Sequence, residues 1–209
     1  MHRFWPTYRP VERVLRCVGG LALFGVGIAL IIDADLGAAP WDVFHTGVSD
    51  RTGIPVGTVI ILTGVALLLL WIPLRETPGL GTVLNAIEIG LVVDLVLPLL
   101  PQPDHLGIRL VMLFGGVVVI AIGSAAYIGA GLGPGPRDGL MTGLARRGLS
   151  IRLARTGIEV TALLVGVALG GAIGLGTAVF ALGIGPLIHV LLPAFTLQEP
   201  TPVLTDSSA

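Results

Sequence analysis

Charge-free apolar stretches alternate along the chain with short segments rich in Gly, Pro and acidic residues. A membrane span needs about 20 mostly apolar residues, because each helical residue rises about 1.5 Å across a hydrocarbon core about 30 Å thick. Cys17 to Ile32, Ile54 to Leu74 and Leu110 to Ala130 carry no charge, and Thr82 to Leu100 carries only Glu88 and Asp94. From Leu153 to Phe195 the apolar run is interrupted only by Arg155, Glu159 and His189, and it is too long for one helix. The glycines clustered between Gly170 and Gly176 divide it, because glycine weakens a helix interior. The pattern predicts an all-α membrane protein with six spans, at about 15–32, 56–74, 82–100, 110–130, 153–170 and 176–195. The polar segment 198–209 reads as a disordered tail.

The chain also repeats itself. Leu36, Gly37, Pro40 and Asp42 recur as Leu132, Gly133, Pro136 and Asp138 at an offset of 96. Gly79-Leu80-Gly81-Thr82 recurs intact as Gly174-Leu175-Gly176-Thr177 at an offset of 95. Upstream, Gly20 and Gly27 fall on Gly116 and Gly123. Residues 1–104 and 105–197 are thus two copies of one unit: span, Gly/Pro-rich breaker with a short helix, span, Leu-Gly-Thr turn, span. Three spans per copy is an odd number, so the second copy enters the membrane inverted, as in many secondary transporters. With the N-terminus in the cytoplasm, ten of the twelve arginines fall on inside segments, and only Arg51 and Arg109 fall outside. That is the bias expected of cytoplasmic loops.

Each breaker has a structural reason. Gly37 and Gly133 allow a bend, and Pro40 and Pro136 suit the first turn of a helix. Gly81 and Gly176 mark the paired turns. Asp42 and Asp138 then sit in a first helical turn, where the helix dipole favours negative charge. The short helices run from Pro40 to about Asp50 and from Pro136 to about Arg147. Each either lies flat at the interface or re-enters the membrane with its N-terminus at a polar site. Re-entry would bring Asp42 and Asp138 to one central place, whereas flat helices would hold them about 30 Å apart, the thickness of the hydrocarbon core. Glu88 and Asp94 are the other candidates, because an ionisable group within a span costs roughly 2.5 to 3.5 kcal/mol and usually faces protein or water. Asn85 shares the face of Glu88, one turn earlier. The substrate-binding candidates are therefore Asp42, Asn85, Glu88, Asp94 and Asp138. Arg155 and Glu159 read as a local ion pair, and His45 and His189 as isolated structural residues.

Composition narrows the function classes. Charged residues make up 12% of 209 and apolar residues 54%, against roughly 25% charged in a soluble domain. This excludes a soluble enzyme, a nucleic-acid binder and a disordered chain. The basic residues are all arginine. One cysteine, Cys17, rules out an intrachain disulfide and a thiolate metal site. No protease, hydrolase or phosphate-loop motif is present, so neither catalysis nor a metal or cofactor is expected.

The doubled motif Leu36–Asp42 and Leu132–Gly139, each followed by Gly-Leu-Gly-Thr, resembles the YczE/YyaS/YitT group of bacterial integral membrane proteins over about Arg13 to Leu192. YitT relatives carry a soluble domain that has no counterpart here, so the resemblance is to the YczE type. It implies a multi-pass inner-membrane protein and brings no catalytic residues with it. Two functions remain open from the sequence: a small-molecule or ion transporter or exporter, and a non-transporting accessory or scaffold protein. The expected partners are the lipid bilayer and a small molecule or ion, with a homo-oligomer left open.

Overall fold

The computed structural model describes residues 8–197. The segment expected to be a disordered tail lies outside the described residues. Among the described residues the chain is all helical, with no strand. The helices are α1 (Pro10–Asp33), α2 (Pro40–Thr52), α3 (Val56–Leu74), α4 (Leu80–Val96), α5 (Leu106–Gly129), α6 (Pro136–Ala145), α7 (Ile151–Ala168) and α8 (Leu175–Phe195). A 3-10 turn, Leu97–Leu99, extends α4. Five helices are long and apolar enough to cross a membrane: α1, α3, α4 with its extension, α5 and α8. The remaining long helix, α7, has 18 residues but carries Arg152, Arg155 and Glu159.

At the centre, α1 and α5 cross through their glycines. A Cβ on Gly20 would stand 2.7 Å from the Gly123 carbonyl, and one on Gly27 would stand 2.7 Å from the Gly116 carbonyl. The pairing of the earlier glycine with the later one makes the two helices antiparallel. Seven-residue spacing in each helix puts both glycines on one face, so the backbones meet where lipid-like side chains would hold them apart. Leu21, Ile28, Leu113 and Ile120 fill the crossing and are fully buried. Helix α4 packs on α1, and α8 packs on α5.

The breaker helices exchange between the copies, α2 lying against α7 and α6 against α3. Two equivalent joints hold the exchange. Gly176 N–H donates to the Leu36 carbonyl at 2.7 Å, and Gly81 N–H donates to the Leu132 carbonyl at 2.8 Å. Both joints depend on left-handed backbone, with Gly37 at φ +90° and Gly133 at φ +119°. That region is open to glycine and costly for a side chain. Each turn is closed in the same way, Gly79 and Gly174 N–H donating to Thr82 and Thr177 Oγ1 at 3.1 and 3.3 Å.

The copies differ in one packing. Helices α3 and α4 are tightly joined, with Gly57 against the Gly90 carbonyl and Gly64 against Ala86. At the same offset Gly57 and Gly64 become Arg152 and Glu159, and α7 and α8 barely touch. The outer surface is apolar, with Leu182 and Val190 of α8 exposed by 78% and 75%. Large aliphatic side chains turned outward along whole helices fit a lipid solvent, not water.

Candidate functional site

The short helices do not lie at opposite ends of the molecule. Phe44 packs on Gly166 and Gly47 on Leu169, while Arg51 Nε donates to the Leu169 carbonyl at 3.0 Å. Helix α2 therefore runs beside the end of α7 in the same direction. Gly139 packs on Trp71 and Gly143 on Leu74, so α6 runs beside the end of α3 in the same way. Both short helices thus turn their C-termini toward an end of the bundle and their N-termini toward its interior. Trp71 Nε1 pins the start of α6 by donating to the Pro136 carbonyl at 2.9 Å.

The two N-termini meet. The Arg137 guanidinium lies over the Trp41 ring, 4.8 Å from its centroid. A cation over an indole face is attracted by the ring quadrupole, more strongly where water is scarce. Trp41 also stacks on His45, with centroids 6.2 Å apart. His45 is fully buried, and its Nδ1 is 3.3 Å from Asp42 Oδ1, which is itself 3% exposed. On the other side, the Tyr127 hydroxyl donates to Asp138 Oδ2 at 3.4 Å. Both Asp42 and Asp138 act electrostatically on Arg137.

The two carboxylates of this pair have different surroundings. Asp42 is buried, whereas Asp138 is exposed. Burial pushes the His45 imidazole down, opposed by its bond to Asp42, which favours the neutral form.

The other sequence candidates fall in three places. Asn85 is at the cluster, its amide 3.4 Å from where a Cβ on Gly135 would sit. Glu88 is half-buried on α4, close enough to Cys17 of α1 for its charge to be felt there, and it has no hydrogen bond among the described residues. Asp94 is engaged elsewhere: its oxygens accept from Gly57 N–H at 2.6 Å and Thr58 Oγ1 at 2.8 Å, capping the start of α3. Arg155 and Glu159 form the expected pair at 3.0 Å.

Sequence reading missed Trp41, His45, Tyr127 and Arg137 as parts of this place. Arg137 was counted there with the cytoplasmic loop arginines, and without it nine stand against two. Two signals were available. His45 follows Asp42 by three residues, which is one helical turn. Arg137 follows Trp41 by 96, the repeat offset itself.

An apolar pocket of about 310 Å³ adjoins the cluster and shares Trp41 with it. Phe44 of α2 and Gly157, Thr161, Ala162 and Val165 of α7 line it. Among the described residues no group of His, Cys, Asp and Glu could hold a metal ion.

Residues 11–193 match a family described as a family of unknown function, DUF6198. The chain belongs to this family. It is 35% identical over 189 residues to the uncharacterized membrane protein YczE of Bacillus subtilis, covering 87% of each chain. It is 38% identical over 173 residues to an uncharacterized protein of Haemophilus influenzae, covering 82% of this chain and 79% of that one. It is 32% identical over 181 residues to the uncharacterized protein YyaS of Bacillus subtilis, covering 83% and 89%. These matches and the apolar helices make this DUF6198 chain a membrane protein of the group that the doubled motif indicated. No solved structure matches it.

Proposed function

We propose that this protein is a small-molecule or ion transporter of the bacterial inner membrane. In this reading its six spans form two inverted repeats, the N-terminus is cytoplasmic, and the site lies where α2 and α6 point at each other. The observation that carries the reading is the contact between Arg137 and Trp41. These residues are counterparts in the two copies, and counterparts meet only beside an axis relating those copies. Re-entrant half-helices with N-termini at a shared interior site are a recurring transporter arrangement. A dry scaffold would have no reason to enclose polar atoms without partners, yet Trp41 Nε1 and His45 Nε2 are enclosed and unbonded. The accessory reading stands second, supported by the broad apolar face of α8.

A deletion strain compared with its parent tests the proposal. Transport predicts that a discrete set of solutes accumulates or disappears, and that the wild-type chain restores them while Trp41→Ala does not. An unchanged solute profile together with loss of another membrane complex would favour the accessory role.

A further inference from the structure

The cluster holds donors without acceptors. Asp42 is held by His45, and Asp138 by Tyr127. Arg137 is half-buried and has no hydrogen bond or ion pair among the described residues, although two carboxylates act on it through space. A guanidinium presents five N–H donors in a planar fork that matches an oxyanion. Trp41 Nε1, directly beneath it, is an enclosed donor with no acceptor. The helix starts add to the same sign. Neither α2 nor α6 has a bonding side chain at its N-cap residue, Ala39 or Gly135, and both starts carry partial positive charge. Trp41 also lines the apolar pocket between α2 and α7. A volume near 310 Å³ is at the small end of ligand pockets.

The geometry points to an amphiphilic organic anion as the ligand: an oxyanion gripped by Arg137 above Trp41, with an apolar body in the pocket lined by Phe44, Ala162 and Val165. The inference rests on the reading of this place as a ligand site. The oxyanion can be the carboxylate of a free small molecule or the phosphate of an anionic lipid headgroup.

The test uses the purified full chain in nanodiscs of zwitterionic lipid. Benzoate, benzylammonium and acetate are titrated against tryptophan fluorescence, and nanodiscs containing phosphatidylglycerol are examined by native mass spectrometry for retained lipid. The expected result is saturable binding of benzoate or retention of phosphatidylglycerol, with benzylammonium inert. Benzoate alone identifies a free anion as the source, and phosphatidylglycerol alone identifies the lipid. Arg137→Gln should abolish binding, and Arg137→Lys, which keeps charge and loses the fork, should weaken it about tenfold. Ala162→Phe fills the pocket and should remove benzoate binding while leaving acetate unchanged, so the inference can be tested even where Arg137→Gln fails to fold. Binding of benzylammonium as strong as that of benzoate would overturn the inference. So would titration of Arg137→Lys and Ala162→Phe identical to wild type, or no response to benzoate and phosphatidylglycerol. Proteoliposomes separate the two claims. Cation flux without anion binding sinks the ligand class and leaves transport standing. Arg137-dependent anion binding in a protein whose deletion shifts no solute does the reverse.

Discussion

The Arg137 guanidinium rests 4.8 Å from the centroid of the Trp41 ring, and these two residues occupy the same position in the two copies of the repeat. The same exchange holds in the central crossing. Gly20 meets Gly123 and Gly27 meets Gly116, so swapping the copies turns one contact into the other. In the inverted-repeat reading proposed above, a pseudo-two-fold axis would produce such contacts, with one copy supplying an aromatic face and the other a cation to lie on it.

Topology follows from this arrangement. Asp50 and Arg147 lie near the C-terminal ends of the two short helices and are both exposed. Single cysteines there, in a Cys17→Ala background, should label differently with an impermeant thiol reagent on intact cells. Asp50→Cys should react, and Arg147→Cys should react only after permeabilisation. Equal labelling of both would rule out inversion or reveal dual insertion.

The central crossing should tolerate no side chain. A Cβ on Gly20 meets the backbone of Gly123 and Tyr127, which cannot yield without parting α1 from α5. Gly20→Val should destabilise by about 1–3 kcal/mol or more, the usual cost of overpacking. Gly19→Ala is the control, because nothing lies within 4 Å of a Cβ there. A detergent melt comparing the two checks this, and equal melting temperatures would contradict the crossing.

Asp94 should prove a structural acid. Its carboxylate satisfies the Gly57 N–H and the Thr58 hydroxyl at the start of α3. Losing a helix N-cap costs about 0.5–2 kcal/mol, so Asp94→Ala should lower the melting temperature. Solute profiles in cells that express the folded variant should match those of wild type. A variant as stable as wild type but inactive would return Asp94 to the site.

Glu88 offers the opposite expectation. It sits half-buried within α4 without a hydrogen bond among the described residues, where an ionisable group is costly. Glu88→Leu should raise stability in a melt, since replacing an unpartnered polar group with an apolar one removes its desolvation penalty. Loss of the transported-solute signature in that stabilised variant would show that the acid is kept for function.

The helices, and five of the six expected spans among the described residues, were legible in the sequence because their causes are local. Charge-free runs of span length, Pro40 and Pro136 at helix starts and the Leu-Gly-Thr turns each act within a few residues of themselves. The repeat was legible for the same reason, since matching glycines and prolines impose matching bends. Tertiary structure alone decided which way the short helices point and what meets at their ends. In the sequence Arg137 is one more arginine of the segments read as cytoplasmic, and Trp41 carries no signal of its own. Nothing within a helical turn of either residue indicates that they touch across 96 positions. The direction of each short helix is set where Gly47 packs on α7 and Gly139 on α3, and those helices arrive later or earlier in the chain. Asp42 and Asp138 likewise share a motif but not an environment: Asp42 is buried beside His45, while Asp138 is exposed beside Tyr127. Sequence periodicity assigns a residue to a face of its own helix; the partner helix determines what that face encounters.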